Sequence, residues 1–281
     1  MILRRDGWRP PDRKGAELAL DLPLNSFQSA VAERIEYTEG HGKHHARCAI
    51  FHLGRAWAIR EVDPEMAAFR VLCAGEEAAS AVFRALQRRE YDGADRLLPK
   101  DHRHKAALAV LLRAVETHLA TAGFSQLTRS DIVVNTRDPS ESLGLRVRLQ
   151  LTPGSWTPWL SSTPPLEMEL QANGVAHDFE QDIRAVTHRA TLNAVRRFVG
   201  KLSNQRNLLL YASPNGVAFV DPANTENVIR ENQRRVFGTL VVFEMIDSHV
   251  EHQRLVKQGL SALLELIPPS KPKPRVRVDE D

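Results

Sequence analysis

Asp63-Pro-Glu-Met-Ala-Ala-Phe-Arg-Val-Leu-Cys-Ala-Gly-Glu-Glu-Ala-Ala79 decides how the first half of this chain folds. Asp63 offers a side-chain oxygen to cap a helix, and Pro64 suits a first helical position, where its missing N–H is no loss. From there Phe69, Leu72, Glu76, Ala79 and Phe83 recur three or four residues apart, so they share one helix face. Four of the five are apolar, and such a face is expected to be buried. A buried carboxylate must be paired, hydrogen-bonded or neutral. A second helix opens with Asp101-His-Arg-His-Lys105, and His104, Leu108, Leu111, Val115 and His118 make its stripe. If the two helices pack antiparallel, Glu76 is expected to meet His104 or Lys105. Such a pair serves either helix register or a site, since both uses perturb titratable groups.

Around this pair, residues 43–124 read as an antiparallel helical unit, with Ala46, Ala49, Ile50, Leu53 and Trp57 at helical spacing. Residues 1–42 read as an irregular arm. It holds a short segment at 16–22, a helical or extended piece at Phe27–Tyr37, and a glycine-bracketed loop from Glu39 to His45. Beyond residue 124 the period changes. Asp131–Thr136, Leu143–Leu151 and Leu166–Gln171 look like strands, with alternation clearest at Leu145, Val147, Leu149 and Leu151. A long helix is expected over Phe179–Leu202. A hairpin is expected from Leu208–Ala212 and Val217–Val220 around Pro214-Asn215-Gly216. Helices at Asn227–Phe237 and Leu240–Ile267 follow, separate or continuous. The expected class is α+β: the helical unit, then a mixed domain over 125–267 with a small antiparallel sheet and long helices. Residues 268–281 alternate Pro with Lys and Arg and read as a disordered tail.

The 281 residues carry a net charge of +3, too mild an excess to argue for nucleic acid without clustering. Clustering does occur. From Ile183 to Arg206 lie Arg184, Arg189, Arg196, Arg197, Lys201 and Arg206, with no Asp or Glu. A one-sided basic helix can hold a phosphate backbone without reading sequence. The other reading pairs that face with Glu226, Glu231 or Glu244. The two cysteines, Cys48 and Cys73, show no disulfide pattern. The N-terminus lacks an apolar core, and no run is long enough to span a membrane, so a cytoplasmic protein is expected. Phosphate-cradling glycine loops, dinucleotide fingerprints, His-x-Glu with paired cysteines, and Gly-x-Ser-x-Gly are all missing from the sequence. His41, His44, His45, Cys48 and His52 form a cluster in which Cys48 and His52 lie one helical turn apart, a zinc-compatible spacing. No second paired ligand set accompanies it, and no metal or cofactor is expected.

Ala67-Ala-Phe-Arg-Val-Leu-Cys-Ala-Gly-Glu-Glu-Ala-Ala79 and His102-Arg-His-Lys105 together resemble the HEPN superfamily, in particular the abortive-infection V type of bacterial phage-resistance proteins. The resemblance covers roughly residues 63–120, about a fifth of the chain. It departs from the family at Ala78-Ala79-Ser80, where a lysine usually follows the paired glutamates. It implies an RNA-binding or RNA-cleaving protein of bacterial stress or phage defence, working as a homodimer without metal. Many HEPN ribonucleases carry an arginine and a histidine separated by four to six residues. Here Arg34/His41, Arg47/His52, Arg96/His102 and Arg113/His118 fit that spacing. Arg96/His102 lies in the resembling segment, and Arg113/His118 is second. On this reading His102 is the general acid–base toward a ribose 2′-hydroxyl and Arg96 stabilises the phosphorane, with Glu76, His104 and Lys105 around them. The alternative is a non-catalytic protein that assembles with a partner, with Glu76 structural.

Overall fold

The computed structural model describes residues 21–121, 128–133, 141–152, 155–172, 174–211, 216 and 219–267. The expected segment at 16–20, the expected tail at 268–281 and the Pro-Asn turn at 214–215 lie outside the described residues. The class is α+β. Helices α1 (Ser26–Tyr37), α2 (His41–Ile59), α3 (Pro64–Arg88) and α4 (His102–Thr121) precede a small sheet. Helices α5 (Glu180–Thr187), α6 (Leu192–Leu202), α7 (Gln205–Leu210), α8 (Pro222–Asp247) and α9 (Arg254–Leu266) follow it.

Helix α3 is the axis of the fold. The Asp63 carboxylate accepts the Met66 N–H at 3.0 Å, so the cap forms as its sequence dictates. The helix packs against α2 and α8 along its length, and against α4 and α7 near its middle. Phe83 and Phe243 are fully buried where α3 meets α8. One apolar cluster runs from Leu22 to Ile267 and takes side chains from both sides of residue 124.

In the sheet, β2 (Gly144–Thr152) lies between β1 (Thr128–Val133) and β4 (Leu160–Ser162), both antiparallel to it. A short β3 (Ser155–Trp156) folds back on the end of β2. A two-residue ladder, β5 (Gln171–Ala172) with β6 (Val175–Ala176), turns at Gly174, whose φ of +77° suits glycine.

Several local expectations need correction. The histidine-rich stretch is not a loop: α2 begins at His41, capped by Gly40 at φ +81°. Glycine at position 42 lets α2 approach α8, since a Cβ there would sit 2.6 Å from the Phe243 ring. The long helix at 179–202 is two helices, broken where His188 turns left-handed and Thr191 caps α6 through the Ala194 N–H. Residues 205–210 are helical rather than a hairpin strand. Most of the Leu166–Gln171 strand joins no ladder. Its Leu166 and Leu170 N–H groups go to the Gln253 and Gln258 side chains, which satisfies the backbone without a sheet. The C-terminal helix pair breaks after Asp247, not between residues 237 and 240.

Candidate functional site

The paired glutamates of α3 each hold a histidine, and the two histidines come from different helices. His102 Nδ1 meets Glu76 Oε1 at 2.8 Å, from the first residue of α4. His45 Nδ1 meets Glu77 Oε2 at 2.7 Å, from the second turn of α2. Successive residues on a helix point about 100° apart, so neighbouring carboxylates on α3 can serve two flanking helices.

Glu76 therefore pairs with His102, not with His104 or Lys105 as its stripe suggests. The geometry of α4 gives the reason. His102 and Lys105 are three apart and share a face, whereas His104 points about 200° away from His102. His104 is buried and turned toward the preceding loop, where its Nδ1 accepts the Leu98 N–H at 3.0 Å. Burial holds it below the ordinary imidazole range, and the nearby Arg96 charge acts in the same direction. Lys105 is also buried, and its charge acts on Glu77 and Cys48.

The guanidinium that reaches His102 is Arg206, on α7. Its Nη2 lies 3.0 Å from His102 Nε2, and its Nη1 lies 3.7 Å from Glu76 Oε2. Arg96 sits exposed at the end of a 3-10 turn over Ala94–Arg96, and no contact joins it to His102 among the described residues. The expected Arg96/His102 convergence is thus replaced by an Arg206/His102 one. Arginine only donates, so His102 Nε2 must accept from Arg206, and Nδ1 carries the hydrogen given to Glu76. In this arrangement His102 faces a carboxylate with one nitrogen and a cation with the other. All three side chains remain wetted: Glu76 is 17%, His102 35% and Arg206 31% exposed.

Around this trio lie Cys73, Arg70, His52 and Cys48. Arg70 donates to His52 Nδ1 at 3.4 Å. Burial and the Glu77 carboxylate push the Cys48 thiol up to about 11, and burial also raises Cys73. Neither thiol is primed as a nucleophile or as a ready metal ligand. Burial raises Glu77 as well, but His45, Lys105 and His52 outweigh it and hold the carboxyl below its ordinary value. Beside Arg206 an open groove of about 280 Å³ runs between α3, α7 and α8, lined by Val71, Leu72, Leu208, Leu209 and Val228.

The basic stretch divides. Arg184 is ion-paired with Glu180 one turn before it on α5. Arg189 lies over the Phe198 ring, 5.4 Å from its centroid. Arg196 donates twice to the Glu265 carbonyl, at 2.9 and 2.6 Å, and so closes the end of α9. Arg197 and Lys201 are exposed on one face of α6, without a charge partner among the described residues. Glu226, Glu231 and Glu244 are paired elsewhere, with Arg230, Arg235 and Arg34.

Among the described residues, the one group spaced for a metal is not the His41–His52 cluster. It is His118, His177 and Asp182, whose donor atoms lie within 4.8 Å of one another. Arg113, the partner expected for His118, is exposed, and His118 meets Asp182 instead. Sequence reading missed this trio and the role of Arg206. No local pattern joins residues that far apart in the chain.

Scans against models of protein families, curated proteins and solved structures found no match.

Proposed function

We propose that this protein binds RNA and cleaves it without a metal, at the Glu76–His102–Arg206 trio. The observation that carries this reading is the placement of His102 between Glu76 and Arg206. The Glu76 carboxylate can hold Nδ1–H, which leaves Nε2 as a base beside the partly exposed Arg206. A substrate phosphate attracts Arg206 more strongly than a neutral imidazole does, because the contact is charge-assisted and can be bidentate. Arg206 then moves to the phosphate and uncovers Nε2. His102 takes the proton of a ribose 2′-hydroxyl, the 2′-oxygen–phosphorus bond forms, and the phosphorus–5′-oxygen bond breaks. The leaving oxygen takes its proton from water. Arg206 neutralises the phosphorane, and Glu76 stabilises the imidazolium that forms. Arg197 and Lys201, unpaired on the preceding helix, supply sequence-independent phosphate contacts. The resemblance of α3 and the start of α4 to HEPN proteins of phage defence points the same way.

The test is a short RNA with one 2′-deoxy substitution. Cleavage should stop at the substituted linkage only, and products elsewhere should carry 2′,3′-cyclic phosphate. Cleavage at the deoxy linkage contradicts this chemistry. His102→Ala and Arg206→Ala should each lower the rate roughly 10²- to 10⁴-fold.

A second reading has its own observation. Leu208, Leu210, Tyr211 and Phe219 are exposed, Phe219 at 81%. An apolar surface beside α7 favours assembly with a partner or a second copy. There the trio serves only to seat α7 on α3. On that reading Arg206→Ala weakens association and the purified chain leaves RNA intact.

A further inference from the structure

We infer that His118, His177 and Asp182 form a binding site for one divalent transition-metal ion of the zinc type, apart from the Glu76 trio. The three donors come from three elements: His118 from α4, His177 from the segment after β6, and Asp182 from α5. His118 Nδ1 lies 3.2 Å from Asp182 Oδ1, and His177 Nε2 lies 2.5 Å from Asp182 Oδ2. All three side chains are 13–14% exposed, so they are held in place yet reachable.

The neighbourhood fixes the donors. The two imidazoles stack with centroids 4.0 Å apart, and Phe179 closes the far side edge-on to both rings. The His177 backbone is tied at both ends, its N–H donated to the Leu170 carbonyl and its carbonyl accepting from Gln258. Asp182 stands in the first turn of α5, next to the buried Ile183. Two imidazoles crowd one carboxylate here, and a divalent ion would replace the hydrogens now shared between them.

The donor set selects the ion. Two nitrogens and one oxygen suit zinc and its neighbours, whereas magnesium and calcium take mostly oxygen. A tetrahedral zinc about 2.0–2.1 Å from each donor places donors about 3.3 Å apart. His118 faces Oδ1 of Asp182 and His177 faces Oδ2, so an ion held by one of these oxygens needs the carboxylate to turn and the His177 contact to open. Three protein donors leave the fourth position for water.

The test uses the full chain, stripped of metal with a chelator and titrated with zinc chloride by calorimetry. The expected result is one zinc per chain, lost in His177→Gln and in Asp182→Asn, with a rise in melting temperature on zinc addition for wild type only. Magnesium chloride should give no heat. Cys48→Ala separates this site from the α2 cluster and should keep the zinc. If a variant misfolds by circular dichroism, the wild-type cobalt(II) spectrum decides: a visible ligand-field band without thiolate charge transfer supports the site. Wild type that binds no zinc, zinc lost with Cys48, or a thiolate band would each overturn it.

Discussion

Glu244 and Glu76 each sit on a long helix, and each meets an arginine from a distant part of the chain. Glu244 is wholly buried between α1 and α8, where Thr38 donates to it and Arg34 Nε lies 3.3 Å away. Asp247, one turn on, binds Arg88 at 2.8 Å. Burial pushes the Glu244 carboxyl up to about 6, against the pull of Thr38 and Arg34. Glu76 keeps part of its side chain in water, as do both of its partners. The pair chemistry is alike and the solvent is not. Where water is excluded, a carboxylate–arginine pair locks elements together, because separating it strands a charge. Where water enters, the same pair costs little to break, and its members are free to meet a ligand.

The largest effect is expected at the dry end. Glu244→Ala removes the carboxylate that faces Arg34, itself buried. It should cost about 3 kcal/mol in denaturant unfolding at neutral pH. A loss as small as that of a surface pair would remove the contrast. Next comes pH. The folded carboxyl of Glu244 is raised from 4.5 to about 6, so its protonated form favours the fold. That contribution is fully present below 4.5 and is lost as pH rises through about 6. Across this window wild type should lose about 2 kcal/mol relative to Glu244→Gln, which does not titrate. Parallel stability curves would show that the carboxyl is not desolvated. The smallest effect is expected at the wet end. Glu76→Ala and His102→Ala should each change stability by about 1 kcal/mol or less. A cost at Glu76 equal to that at Glu244 would make the trio a lock as well.

How far these regions were legible follows from the range of the interactions that build them. Helix α3 could be read because Asp63 and Pro64 act within its first turn, but its buried face runs through Ala67, Val71, Ala74 and Ala78, and the expected stripe is only half-buried at Phe69, Leu72 and Glu76. Strand β2 could be read from its alternation. The break between α5 and α6 carried a signal in Thr191, a good cap, which the cations on either side obscured. Glu76 stood out as a carboxylate on an apolar stripe, yet its partner was misassigned. The stripe shows which face is polar, not how α4 is rotated about its own axis. Arg206 was visible only as one charge in a basic run, since its contact spans 104 residues and depends on α7 being helical. The His118–His177–Asp182 trio left no periodic trace, because two members lie outside any shared helix face.

The most direct measurement is cleavage of a labelled single-stranded RNA, with chelator present, by wild type, His102→Ala, Arg206→Ala and Glu244→Gln at one temperature below all their melting points. The account predicts that the first two substitutions each slow cleavage at least roughly 10²-fold while unfolding remains near wild type, and that Glu244→Gln cleaves normally. Wild type that leaves the RNA intact, or cleavage that survives the loss of both His102 and Arg206, would contradict it.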